Sequence, residues 1–283
     1  MPRIALVTDS TACLSAEVAA DLGVIAVPLE VIVRGTPYRE DAPETGKVLV
    51  EALRAHVAAT TSRPSPQDFA AAYRAAADAG ADGVVSLHIS AELSATLESA
   101  ELAAKDAPLP VRVLDSRTVG MALGFAVLAA AEAGRDGAHD LDAVAEIAAK
   151  RSATGSAFFY VDTLEYLRRG GRIGSARALL GSALAMKPLL HVADGRVEPL
   201  EKVRTSTRAI ARLEEIAVER AGGDGSSVQI AVQHLDAAER ADALAARLRE
   251  RLPGLAEITV CEVGAVIGAH VGPGVLGVIV SPR

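Results

Sequence analysis

The chain has 283 residues, half of them hydrophobic and 3% aromatic, and a net charge of −7 at neutral pH. That length suits two medium domains or one large one with a core of Ala, Leu, Val and Ile, and the negative balance argues against a nucleic-acid binder, which needs a strong positive field. Cys13 and Cys261 lie far apart and make no disulfide framework, the apolar run Ile4–Val7 is too short for a secretory signal, and Met121–Ala131 is too short to span a bilayer; these features fit a reducing cytoplasm.

The first half alternates strand and helix patterns. Ile4–Thr8 reads as a buried parallel strand. Ser15 caps a helix to Leu22 that ends at Gly23. Val24–Val33 is β-rich and turns at Arg34-Gly35-Thr36 into a hairpin or excursion. A helix is predicted over Glu44–Ala58. The polar loop Thr60-Thr61-Ser62-Arg63-Pro64 follows, then a helix over Pro66–Ala79 with Ser65 as N-cap and Asp68 as its N3 acid. Val84–Ile89 is a strand, Ser94–Lys105 a helix, Val111–Leu114 a strand and Val119–Ala133 a helix. This order predicts a parallel sheet covered on both faces.

The second half has another rhythm. A helix at Leu141–Arg151 leads to a strand at Ala157–Val161. Asp162 and Glu165 have capping-box spacing for a helix over Thr163–Arg169, which Gly170-Gly171 ends. A helix over Ser175–Met186 stops before Pro188. Leu189–Val192 and Arg196–Val203 flank Asp194-Gly195, a hairpin turn. Helices over Thr207–Arg220 and Ala237–Leu252 alternate with strands at Val228–Leu235, Ile258–Val263 and Val275–Val280. The predicted class is therefore α/β: an N-terminal α/β domain with a parallel sheet, residues 1–153, and a C-terminal α+β domain with a mostly antiparallel sheet, residues 154–283.

Chemistry concentrates in loops. Thr8-Asp9-Ser10-Thr11, Thr60-Thr61-Ser62, Ser90–Thr96 and Asp115-Ser116 are rich in hydroxyls. They are expected at or near the carboxyl ends of the strands, where open α/β sheets bind ligands and helix N-termini favour anions. Ser, Thr and Asp are also ordinary helix caps, so capping alone accounts for any one of them. Gly268-Ala269-His270-Val271-Gly272-Pro273-Gly274 sets one histidine in a glycine-rich bend between apolar runs. It reads either as a binding loop or as a corner between strands with a satisfied core histidine. His88 and His191 sit in apolar strand patterns and read as core residues. Arg168, Arg169, Arg172 and Arg177 form a basic cluster; Arg168 balances a helix C-terminus, whereas Arg172, between glycines, faces either a ligand or a partner. There is no Gly-x-Ser-x-Gly elbow, no phosphate-binding nucleotide loop and no metal-ligand spacing among the histidines, so neither a cofactor nor a metal is expected.

The chain resembles the DegV family, the bacterial fatty acid-binding proteins known as FakB. The likeness runs nearly end to end. It rests on Thr8-Asp9-Ser10-Thr11, Thr61-Ser62-Arg63-Pro64-Ser65, Leu93-Ser94-Ala95-Thr96, Leu164 to Ile173, Lys202-Val203-Arg204-Thr205 and Gly268 to Gly274. The resemblance implies one long-chain fatty acid held between two domains, and a separate fatty acid kinase that phosphorylates its carboxylate for phospholipid synthesis. It implies no stable membrane insertion. It also implies a head-group site of Thr61, Ser62 and Ser94, with Arg204 and His270 beside the carboxylate and supporting phosphoryl transfer. The family usually has glycine where this chain has Ala95 and glutamine where it has Arg63. Two other readings compete with the carrier: an enzyme acting on a small carbonyl or phosphorylated metabolite with His270 as acid/base, and an interaction module whose loops are only caps.

Overall fold

The computed structural model describes residues 3–135, 137–179 and 187–283. The chain begins with β1 (Ile4–Asp9), α1 (Ala16–Leu22) and β2 (Val24–Val27). An excursion follows, made of β3 (Glu30–Val33), β4 (Thr36–Arg39), α2 (Thr45–Arg54) and β5 (Ala59–Ser62). The chain then returns through α3 (Pro66–Asp78), β6 (Gly83–His88), α4 (Thr96–Ala104), β7 (Val111–Asp115), α5 (Met121–Arg135) and α6 (Leu141–Thr154). Strands β2-β1-β6-β7 form the expected parallel sheet. Alternate residues of β1 face opposite layers: Ile4 and Leu6 pack with α5 and α6, and Val7 packs with Phe69 and Tyr73 of α3. Every residue of β6 is buried, as suits a strand covered on both sides.

Local signals place these helices as anticipated. Ser15 accepts the N–H of Val18, and Gly23 closes α1 in the left-handed region. Ser65 and Asp68 form a reciprocal capping box with Pro66 in the first turn of α3. The stretch Val24–Val33 is divided. β2 joins the parallel sheet, and after Pro28-Leu29 the chain crosses to a second, three-stranded antiparallel sheet ordered β4-β3-β5. Thr60-Thr61-Ser62, expected as a loop, is the edge strand of that sheet; Thr61 lies opposite Val31. Its β-branched threonines suit a pleated edge.

The C-terminal half contains β8 (Ser156–Tyr160), α7 (Glu165–Arg169), a 3-10 segment (Gly174–Leu179), β9 (Lys187–Ala193) and β10 (Arg196–Val203). It continues with α8 (Ser206–Ala221), β11 (Val228–His234), α9 (Ala238–Arg251), β12 (Ile258–Glu262), α10 (Ala265–Val271) and β13 (Leu276–Pro282). The sheet runs β10-β9-β8-β13-β11-β12 and is antiparallel except for β11 with β12. One face packs on α8 and α9 through Phe158, Ile230, Val232, Val278 and Val280. The other meets α5, where Met121 and Phe125 touch Ala157, Ala231 and Ile279. The excursion also packs on this half, with Leu29, Val31 and Leu49 in one cluster with Leu167, Val266 and Val271.

Two further details differ from expectation. Asp162 and Glu165 make no capping box; Asp162 instead accepts from the Tyr160 hydroxyl and from Lys187, and Glu165 pairs with Arg168 and Arg169. The helix expected over Ser175–Met186 is a 3-10 segment as far as Leu179; residues 180–186 lie outside the described residues.

Candidate functional site

The cavity-facing side of the large sheet is built mostly from apolar residues. Ala157 and Phe159 of β8, Val192 of β9, Gln233 of β11, and Gly277 and Ile279 of β13 line a cavity of about 410 Å³. Strand alternation puts them there, since their neighbours in sequence face α8 and α9. Leu29 and Ile89 close it from the N-terminal half, and Leu167, Val266 and Val271 from α7 and α10. This volume lies in the range of roughly 300–1,000 Å³ typical of small-molecule sites.

Apart from Gln233, whose Oε1 accepts the Met121 N–H at 2.9 Å, the polar lining residues form one group: Thr61 and Ser62 of β5, Arg63 after it, Ser94 before α4, Arg172 after α7, and His270 on α10. These side chains are half-buried or exposed, whereas most of the apolar lining is buried. The cavity therefore has a greasy interior and one polar end. His270 Nε2 lies 2.9 Å from Thr61 Oγ1. Burial pushes the imidazole pKa from the ordinary 6.5 down to about 4, and the nearby Arg172 guanidinium adds to the shift. His270 is thus neutral at physiological pH, with one ring nitrogen a donor and the other an acceptor. Its Nδ1 is buried with no hydrogen-bond partner among the described residues.

Arg172 donates from Nε to the Leu93 carbonyl at 2.9 Å and from Nη1 to the Gly170 carbonyl at 2.6 Å. Those two bonds hold the guanidinium against the polar end, so of its two sequence readings the structure favours the side facing the cavity. Arg63 donates to the Ala95 carbonyl at 3.2 Å and pairs with Glu98 at 2.9 Å. Ser94 Oγ lies 2.8 Å from the Thr96 hydroxyl. Ala95, with φ at −78°, needs no glycine for its backbone conformation.

Only two of the four hydroxyl-bearing segments reach the cavity. Thr8 and Asp9 are fully buried. Asp9 accepts from the N–H groups of Thr11 and Ile89 and from the Thr11 hydroxyl, and lies 3.1 Å from His88 Nδ1. His88 Nε2 continues to Ser86 at 2.6 Å and Ser86 to the Tyr73 hydroxyl at 2.9 Å. His88 is thus the satisfied core histidine expected. His191 is only half-buried and stacks on Phe158 with ring centroids 6.3 Å apart. Asp115 and Ser116 stabilise their own turn and the Ala91 N–H.

Arg204 does not line the cavity. It is exposed between β10 and the N-cap Thr205 of α8. Thr61, Ser62, Ser94 and His270 are brought together; Arg204 stands outside their ring. His270 itself sits on the last turn of a helix rather than in a loose bend. The neighbouring glycines have separate packing reasons: a Cβ at Gly170 would fall on His270 Nδ1, and one at Gly272, where φ is +78°, would fall on the Tyr166 ring.

Fold and site together define an α/β protein that encloses an apolar cavity with a single polar end. The profile of the family described as "Uncharacterised protein, DegV family" matches residues 3–283. The chain is 58% identical over 281 residues to a DegV domain-containing protein of Streptomyces coelicolor, covering 99% of each. It is 36% identical over 280 residues to protein DegV of Bacillus subtilis, covering 98% of each. A solved structure described as fatty acid binding of a DegV family protein from Thermus thermophilus superposes with a TM-score of 0.92 at 38% identity, covering 99% of this chain and 100% of that one. DegV of Bacillus subtilis, described as a fatty acid binding protein, superposes at 0.91 with 34% identity and full coverage of both. The chain belongs to the DegV family.

Proposed function

We propose that this protein binds one long-chain fatty acid in the cavity, with the carboxylate at the polar end, and presents it to a separate ATP-using kinase for acyl-phosphate formation. The carrying observation is the pairing of a largely apolar interior with one end that carries Thr61, Ser94, Arg172 and His270. The structural relatives described as fatty acid binding support the same ligand class. A polar metabolite would have to give up its hydration to an almost wholly apolar lining, which disfavours the small-metabolite enzyme.

The head-group chemistry follows from the imidazole. A carboxylate accepts and cannot donate. With its proton on Nε2, His270 donates to Thr61 Oγ1 and leaves the Thr61 hydroxyl proton to point at the carboxylate. Ser94 supplies a second hydroxyl, and Arg172 a positive charge that shifts the bound acid toward its ionised form. The tail contributes most of the affinity: about fifteen methylenes gain roughly 12 kcal/mol on burial.

In this reading the protein brings no nucleotide site; ATP belongs to the kinase, in the cytoplasm. No helix among the described residues is long and apolar enough to cross a membrane. Arg204, exposed at the start of α8, is available to a docked kinase, and with His270 it would offset the charge that develops on the transferred phosphoryl group. His270→Ala should still bind palmitate, with affinity reduced by about ten-fold or somewhat more, Arg204→Ala, outside the cavity, should bind it at close to the wild-type affinity, and both should largely lose kinase-dependent acyl-phosphate formation. Ser94→Ala should weaken head-group binding itself. Normal turnover in both the Arg204 and His270 variants would remove them from phosphoryl transfer.

A further inference from the structure

Glu40 follows β4, between Arg39 and Asp41, which pair with each other at the surface at 2.9 Å. Glu40 alone of the three turns inward. Its Oε1 accepts the backbone N–H of Val266, in the first turn of α10, at 2.6 Å. Its Oε2 accepts the hydroxyl of Ser10, whose oxygen also accepts the N–H of Leu29 at 3.0 Å. Gly264, the N-cap residue of α10, offers its own helix no side chain, and a Cβ there would fall on the Glu40 carboxylate. From 226 residues away, Glu40 satisfies a helix terminus as a local capping side chain would.

The other end of α10 carries His270, held to Thr61. Thr61 lies on β5, β5 pairs with β3, and β3 pairs with β4, the strand that leads into Glu40. The helix is therefore fastened at both ends to one three-stranded sheet. At about 1.5 Å per residue the span between the two fasteners is short, so a shift of the N-terminal turn bears directly on the turn that carries His270. Burial pushes the Glu40 carboxyl above its ordinary value, while the bonds from Ser10 and Val266 oppose that shift. A buried carboxylate is costly unless such bonds compensate it, and here the compensating donors belong to the loop after β1 and to α10.

We propose that Glu40 is a positioning residue of the head-group site, holding α10 so that His270 stays at hydrogen-bonding distance from Thr61. This rests on the fatty-acid reading only for its effect on binding; the effect on His270 is independent of any ligand.

The test uses full-length, lipid-free, histidine-labelled protein titrated by NMR, with the His270 signal assigned from His270→Gln. In the wild type the imidazole should protonate only near pH 4. Glu40→Ala should move that midpoint toward 6.5, the ordinary value. Gly264→Ala should do the same with Glu40 itself unsubstituted, because its Cβ displaces the carboxylate. Palmitate affinity should fall about ten-fold in both, the loss of one buried charge-assisted bond passed on to a head-group contact. Glu40→Gln keeps an oxygen for the Val266 N–H and should stay within about two-fold of wild type. Leu213→Ala, on the buried face of α8, serves as a control for general destabilisation. An unmoved His270 midpoint in both Glu40→Ala and Gly264→Ala would overturn the proposal, as would an equal movement in Leu213→Ala. A shifted midpoint with no palmitate binding even by wild type would sink the fatty-acid reading and leave the positioning role standing.

Discussion

His270 is a histidine kept neutral by its place. An unfolded chain protonates this imidazole near the ordinary 6.5, whereas the folded protein does so only near 4. Protons therefore favour the unfolded chain between these values. The stability tied to His270 is whole above about pH 6.5, declines as the pH falls through the window and levels off below about pH 4. At about 1.4 kcal/mol per pH unit the total loss is about 3 kcal/mol. Urea unfolding of lipid-free protein at several pH values should give this slope, and His270→Gln should be flatter across the same window. Parallel curves for the two proteins would mean that His270 is hydrated in the folded state. Arg172 had one sequence signal, its position between glycines; its two carbonyl contacts, one of them to Leu93, required the fold. Glu40 had none, because its partners Ser10 and Val266 are remote in sequence and its immediate neighbours Arg39 and Asp41 are surface charges.

At the scale of elements, the turn after α7 and the end of α10 are packed so closely that two glycines are required. Gly272→Ala would place a side chain at φ +78° and against the Tyr166 ring. Strain alone costs about 1–3 kcal/mol there, so thermal unfolding should move clearly downward. Gly170 has an ordinary backbone conformation, and its substitution acts instead on His270. Gly170→Ala should therefore weaken palmitate binding out of proportion to its effect on thermal stability; equal losses in both would argue against a close fit between this turn and the imidazole. Much of the element order was legible because local chemistry dictates it: the apolar run of β1, the capping box of α3, and the Asp194-Gly195 turn between β9 and β10. What escaped was set by distant partners. Ala59–Ser62 is too short and polar to announce a strand, and β3 makes it one. The glycines of 268–274 suggest a bend, yet Gly268 is tolerated inside α10 because Leu235 and Leu49 pack against it. Asp162 and Glu165 have capping-box spacing, but Tyr160, Lys187 and two arginines compete for their carboxylates.

For the whole molecule, the cavity lies where the large sheet, the turn before α5, α10 and the excursion meet, and two of its walls come from parts of the chain far apart in sequence. A ligand there would tie these parts together. Binding at a free concentration of about 100 times Kd adds about 2.7 kcal/mol to stability, so delipidated protein should unfold at a lower temperature than protein as purified, and palmitate should restore the difference. The purified chain alone should turn over no ATP, because its sequence carries no phosphate-binding nucleotide loop; robust turnover free of contaminating kinase would contradict a carrier. The most direct measurement is the ligand itself. Protein purified without added lipid is examined intact by native mass spectrometry, then denatured, extracted and analysed for acyl chains. The account predicts about one fatty acid per chain, the stoichiometry of a single site that burial of about fifteen methylenes keeps occupied. Recovery of no acyl chain, together with no binding of added palmitate or oleate, would contradict it.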